Sequence, residues 1–552
     1  MGTSKHGESR VSRRDFLKKG AALGAGAAAM GGLHRGEVEA QDIAWDHEAD
    51  FVTIGAGTSG LSAAVSALDH GASVIMVEMN YDVGGHGLVS GGNVHLGGGT
   101  SRQKKFGIED TADMVYHDWV RHDHKDSRYS DRDLVRAFAD ENAEAFEFLI
   151  ENGVVFQDSY SGPQAASTVA RQGRSVQWPI AAERVTHHPT RVGSGVVRAL
   201  EKSARAKGAE ILLEHRMTNI IRENQFSGRV LGISAEHRGM TVNIRARKGV
   251  LVASGGSSSN VTLRRTFDPR LTEEYQVAGE PWSKQTGDGE LQAMAIGAAL
   301  WATANQTKES GAYMSKTRYI GCKWGYSSLI WEPDSPIFDR ARASGLTIFN
   351  WQDAILVNQI GQRFWDETDN SYDYFAACLA DTGDTQKRNG GGPIWAIFDA
   401  DGVAREEWDP NPPLVDLEGY FFSADTLGEL AESIDNEYQA LPMPARALED
   451  TVARYNSFVD SGTDEDWGKP TPAYKIQTPP FYAAWSTPIL HDCLTGLRTN
   501  PQAQVMDYHG QVISGLYCSG ESQGGFSQHG LGRCIVFGRI AGRHAALSGG
   551  DA

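Results

Sequence analysis

Asp50-Phe51-Val52-Thr53-Ile54-Gly55-Ala56-Gly57-Thr58-Ser59-Gly60-Leu61-Ser62-Ala63-Ala64 is the stretch whose reading decides the fold. An apolar run, a glycine turn and an Ala-rich segment predict a β-strand, a tight loop and the first turns of a helix. Gly55 permits the turn, Gly57 lets the main chain approach a pyrophosphate, and Gly60 allows close helix–strand packing. Thr58 and Ser59 open the helix, where N–H groups and the positive dipole end favour phosphate. Ser73-Val74-Ile75-Met76-Val77-Glu78 predicts the second strand. Glu78 ends it, placed for a carboxylate to accept from ribose hydroxyls. Strand, helix, strand and acid in this order predict dinucleotide binding.

Upstream, Ser12-Arg13-Arg14-Asp15-Phe16-Leu17-Lys18 forms a twin-arginine export motif, followed by a weakly apolar Ala/Gly stretch from Ala21 to Leu33. Val38-Glu39-Ala40 supplies a small-residue cleavage site, so residues 1–40 read as a signal peptide and the protein as periplasmic or exported. That route carries folded proteins, which suits a cofactor inserted beforehand. The 552 residues allow more than one domain. A net charge of −18, with no Lys/Arg stripe interleaved with aromatics, argues against nucleic-acid binding. No later stretch approaches the roughly 20 apolar residues of a membrane span. Five cysteines (Cys322, Cys378, Cys493, Cys518, Cys534) show no CxxC spacing, and one disulfide of undefined pairing is possible. His122/His124 and His187/His188 lie in polar surroundings, so no metal site is expected.

Val83-Gly84-Gly85-His86-Gly87-Leu88-Val89-Ser90-Gly91-Gly92-Asn93 follows the second strand. So many glycines imply backbone against a flat, extended ligand, which a flavin requires and a nicotinamide dinucleotide does not. The run resembles the FAD-binding region of the fumarate reductase flavoprotein superfamily, which includes 3-ketosteroid Δ1-dehydrogenases. The resemblance continues at Ala253-Ser254-Gly255-Gly256, Gly287-Asp288-Gly289-Glu290, Ile355-Leu356-Val357-Asn358 with Gly361-Gln362-Arg363-Phe364-Trp365-Asp366-Glu367, Gly515-Leu516-Tyr517-Cys518-Ser519-Gly520-Glu521 and the closing segment Gly532–Gly542. It implies an α/β fold: a Rossmann-type FAD-binding domain over 41–280 and 476–552, with an inserted α+β cap over 281–475. It implies FAD contacts from Gly55, Gly57, Thr58, Ser59, Gly60, Glu78, Gly85, His86, Gly91, Gly92, Ala253, Gly255, Glu521, Gly532, Cys534 and Ile535. His86 is the candidate for covalent attachment, and the closing helix should point its N-terminus at the flavin.

Members of that superfamily move hydride between flavin N5 and a C–C bond beside a carbonyl or carboxylate. Fumarate reduction uses a cationic cluster, but its cap arginine falls on Asn350 here, with Arg340 and Arg342 off register. The family's further arginine before the closing helix has no counterpart in the shorter segment Gly524–Arg533, whose Arg533 lies at its end, while His491 matches the family's histidine before a glycine turn. The ketosteroid pattern fits better. Ser371-Tyr372-Asp373-Tyr374-Phe375 resembles the stretch carrying the general base, which puts Tyr372 in that role, with Tyr160 as its helper. The family's carbonyl-binding tyrosine is absent, leaving Gln528, His529 or a nearby N–H to polarise a carbonyl. Tyr372 could instead pack the cap, and Arg533 either holds a substrate carboxylate or caps its loop. The expected enzyme acts on CH–CH bonds, desaturating a cyclic or polycyclic ketone. The alternative is a fumarate reductase-like periplasmic reductase of an unsaturated carboxylic acid. A third possibility is an electron-carrying subunit without catalysis. With no haem motif in the chain, a separate cytochrome, quinone or oxygen must complete electron transfer.

Overall fold

Phe51 and Val52 point to opposite faces of the same strand, and both are fully buried. Phe51 enters the core beneath the helices, whereas Val52 and Ile54 enter the core on the other side. This period-2 alternation explains a nearly continuous apolar run in a strand covered on both faces. The computed structural model describes residues 43–120, 130–157, 192–302, 312–325, 337, 340, 342–380, 391–528 and 530–549. The signal-peptide expectation for 1–40 lies outside the described residues. Residues 45–552 form one compact unit.

The main sheet is assembled from β1 (His47–Ile54), β2 (Val74–Val77), β3 (Glu210–Leu212), β4 (Met240–Val252), β5 (Gln504–Met506) and β6 (Val512–Cys518), in the order β5-β6-β4-β1-β2-β3. β1 lies parallel to both neighbours, with Ile54 opposite Val77 in β2 and Val252 in β4. β6 joins β4 in parallel, so the last part of the chain completes the sheet begun by the first. An antiparallel hairpin, Arg216–Asn224 with Ser227–His237, extends from β4.

Among the helices on one face are α1 (Thr58–Asp69) and α2 (Leu531–Leu547). They touch through small residues. A Cβ on Gly538 would stand 2.5 Å from Ser59 O, and one on Gly542 only 2.1 Å from Ala63 O. Ala-rich α1 and the glycines of α2 therefore allow a backbone-to-backbone contact that larger side chains would block.

The inserted segment carries its own antiparallel sheet, Ile355–Val357, Trp395–Asp399, Phe481–Trp485 and Phe421–Ala424. Phe481–Trp485 is an inner strand here, so a boundary at 475 cuts through this sheet's sequence. The Arg363–Glu367 pattern proves to be a buried ionic knot. Arg363 donates from Nε at 2.7 Å and from Nη2 at 2.9 Å to the two Glu367 oxygens, and from Nη2 at 2.9 Å to Asp464. Lys469 Nζ lies 3.3 Å from Glu367. Burial opposes the Glu367 charge, yet Lys469 and Arg363 outweigh it and hold the carboxyl below its ordinary range.

Candidate active site

α1 and α2 begin side by side at a cavity of about 430 Å³. The turn after β1 sets its floor. Gly55 adopts φ +101°, and a Cβ on Gly60 would lie 2.1 Å from Gly55 O, so the helix can start directly over the turn only if that residue is glycine. Gly55, Gly57, Thr58, Ser59, Glu78, Gly85, His86, Gly91, Gly92, Ala253, Gly255, Glu521 and Cys534 all line the cavity. Gly60, Gly532 and Ile535 do not. Gly60 serves the turn, a Cβ on Gly532 would meet His95 O at 2.8 Å, and Ile535 is fully buried core.

Three features fit a pyrophosphate-bearing dinucleotide. Thr58 Oγ1, at the start of α1, is buried with no hydrogen-bond partner among the described residues. The short helix Gly85–Val89 can lie over it only because residue 87 is glycine, since a Cβ there would come within 2.1 Å of that oxygen. Glu78 is held in place by main-chain donors, accepting from Ala56 N at 2.9 Å and Asn80 N at 3.0 Å. Burial raises its pKa while those N–H groups oppose the rise. Its remaining lone pairs can receive hydroxyl donors.

The wall formed by Ile489–Cys493 and the Gly520–Ser522 turn carries a buried titratable cluster. His86 and His491 face one another with ring centroids 5.8 Å apart. Burial, then His491, pushes the His86 pKa down to about 4, so its imidazole is neutral at pH 7. Glu521 accepts from Gln285 Nε2 at 2.6 Å. Burial and then Asp492 push its carboxyl well above the ordinary range, with Arg533 pulling the other way. Asp492 and Gln285 were not singled out from sequence. The adjoining His491 was the available signal for Asp492, but Gln285 reaches the cluster only through the tertiary fold.

Arg533 caps its loop. It is fully buried and donates from Nη1 to Phe526 O at 2.9 Å and from Nη2 to Cys493 O at 3.2 Å. Gln528 is also fully buried and gives Nε2 to His95 O at 3.2 Å. Arg340 lines the cavity near Tyr81, whose phenol is pushed up to about 12 by burial and then Asp82, with Arg340 opposing. Arg342 pairs with Glu418, and Asn350 is exposed and accepts from Gln352 N. Tyr372 opens the helix Tyr372–Leu379, capped by Ser371, which is pinned through Oγ to Asp369 at 2.6 Å. The Tyr372 side chain, like Tyr160 and His529, lies outside the described residues. Tyr374 on the same helix is fully buried, and burial raises its pKa well above the ordinary tyrosine range. All five cysteines are unpaired. Among the described residues no group of three His, Cys, Asp or Glu could hold a metal, and no helix is long and apolar enough to cross a membrane.

The FAD binding domain model matches residues 50–532. Fumarate reductase (cytochrome) of Shewanella frigidimarina is 28% identical over 510 residues, covering 90% of this chain and 77% of that protein. Digoxin reductase of Eggerthella lenta is 27% identical, covering 98% and 97%. The acrylate reductase flavoprotein subunit of Shewanella woodyi is 27% identical, covering 97% and 98%. The fold is shared with the open conformation of a flavocytochrome c3 fumarate reductase, at TM-score 0.64, 23% identity and 98% and 83% coverage. It is shared too with 3-ketosteroid delta1-dehydrogenase from Sterolibacterium denitrificans, at TM-score 0.65, 21% identity and 91% and 100% coverage.

Proposed function

The chain belongs to the FAD binding domain family as an FAD-dependent oxidoreductase, and from that premise we propose that it desaturates a cyclic or polycyclic ketone at a CH–CH bond. Arg533 carries this reading. The arginine at the start of the closing helix is turned inward onto two main-chain carbonyls, which leaves it poorly disposed to clamp a substrate carboxylate. An uncharged carbonyl compound makes no such demand.

Bound FAD supplies a two-electron hydride acceptor. Tyr372 takes the proton from the carbon beside the carbonyl, and Ser371 with Asp369 sets the start of its helix. Tyr160 assists it. His529 or a nearby N–H polarises the carbonyl, since Gln528 is buried and gives its Nε2 to His95 O. The inserted segment, from about 281, acts as the cap over the cofactor. We place the enzyme in the periplasm or outside the cell, passing electrons to a separate cytochrome, quinone or oxygen. The names of several relatives, fumarate reductase and acrylate reductase among them, support a second reading in which the enzyme reduces an unsaturated carboxylic acid.

Anaerobic flavin absorbance separates the two. A ketone substrate should bleach the visible band of oxidised enzyme, whereas an enoate should restore it in reduced enzyme. Replacing the base, Tyr372→Phe, should lower turnover about 10²–10⁴-fold with FAD retained. Unchanged turnover would remove Tyr372 from the mechanism.

A further inference from the structure

Behind the Ala253–Gly256 turn, helix Asp288–Ala295 buries a carboxyl that the reaction above does not use. Glu290 is 1% exposed, and its Oε1 has no hydrogen-bond partner among the described residues. Ser254 Oγ donates toward Oε2 at 3.5 Å and lies 3.2 Å from Ser522 Oγ, which accepts from Gly256 N at 3.2 Å. Ser254 also lines the cofactor cavity. A short chain of hydroxyls therefore joins a buried acid to the cavity wall. Asp288, an acidic neighbour on the same helix, pairs with Arg216 at 2.7 Å, and both line the cofactor cavity. The thiols of Cys493 and Cys518 are the other titratable groups packed near Glu290.

We propose that Glu290 is a positioning residue that sets the hydrogen-bond polarity Ser254 shows to FAD. When Glu290 is neutral, its O–H donates into the serine pair, and the Ser254 proton is available to an acceptor in the cavity. When it is ionised, both serine hydroxyls turn toward the carboxylate. Ser254 then presents lone pairs to an anionic, acceptor-rich cofactor, and a buried negative charge stands behind it. The neutral acid therefore holds FAD more firmly. Burial pushes Glu290 up to about 7, which places the change close to neutral pH.

His86, Glu78, Asp492 and Glu521 face the same cavity, so the test must isolate Glu290. FAD release from the diluted holoenzyme is followed by recovery of FAD fluorescence, over about two pH units centred on neutrality. Wild-type release should quicken roughly tenfold as pH rises through that range. Glu290→Gln should release FAD slowly with a flat profile. Ser254→Ala should release it faster at the acid end and also lose the slope. A flat wild-type profile overturns the proposal, as does a wild-type slope in Glu290→Gln. Should Glu290→Gln fail to fold with FAD, a wild-type slope in Ser254→Ala overturns it equally.

Discussion

Among the described residues, two buried clusters of charge are built on different terms. In the inserted segment, Arg363, Glu367, Asp464 and Lys469 answer one another, and Glu367 and Lys469 are fully out of water. In the cofactor cavity, His86, His491, Asp492 and Glu521 line the space itself, with His491 Nδ1 3.1 Å from Asp492 and His86 Nδ1 4.0 Å from Glu521. The first cluster pairs its opposite charges within the inserted segment. The second carries two close carboxyl groups that resist being ionised together, and Gln285 and a loop-bound Arg533 only partly offset them. None of the first set lines the cofactor cavity, whereas all four of the second do and can meet a ligand there.

The contrast is most strongly tested in the cap. Glu367→Ala leaves Arg363 and Lys469 buried without their shared anion, and should cost about 3–5 kcal/mol in chemical denaturation of the FAD-loaded protein. A loss below 1 kcal/mol would mean that the knot is incidental. Glu521→Gln should act in the opposite sense and more weakly, stabilising cofactor-free protein by roughly 1–2 kcal/mol at neutral pH. Their pH dependences should also differ in sign. The folded pKa of Glu367 is lowered, so its stabilisation is present above the unfolded pKa and is lost as pH falls through the folded value. The folded pKa of Glu521 is raised, so its stability is greatest below the unfolded pKa and is lost as pH rises through the folded value. Matched denaturation series on each variant would reveal the two opposite slopes. Arg446→Ala calibrates the comparison. Its partner Asp450 is 60% exposed, and the pair should contribute less than about 0.5 kcal/mol.

Local grammar made much of the cofactor fold legible. The turn at Gly55, the close start of α1 at Gly60 and the acid at Glu78 are demands of a few adjacent residues on one another, so they can be read from a short window. The closing motif around Glu521 and α2 was legible for the same reason. Other parts depend on distant partners. Phe481–Trp485 shows its place only when it pairs with Trp395–Asp399, and Arg533 reveals its role only when Phe526 and Cys493 come within reach. Arg363 and Glu367 were recognisable as a pattern, yet nothing in their spacing tells that Lys469 completes a buried knot. Gln285 and Glu290 reach the cofactor wall through side-chain contacts spanning long stretches of chain.

The seam between α1 and α2 has a consequence for how the protein is made. Ser59 Oγ lies 2.5 Å from Ser519 Oγ, and the glycines of α2 rest on the backbone of α1. Leu531 and Cys534, at the start of α2, are themselves part of the cavity wall. The chamber therefore stays unfinished until α2 has been made and packed on α1, about 470 residues after the glycine turn, and truncation before or within α2 would cost the protein its cofactor.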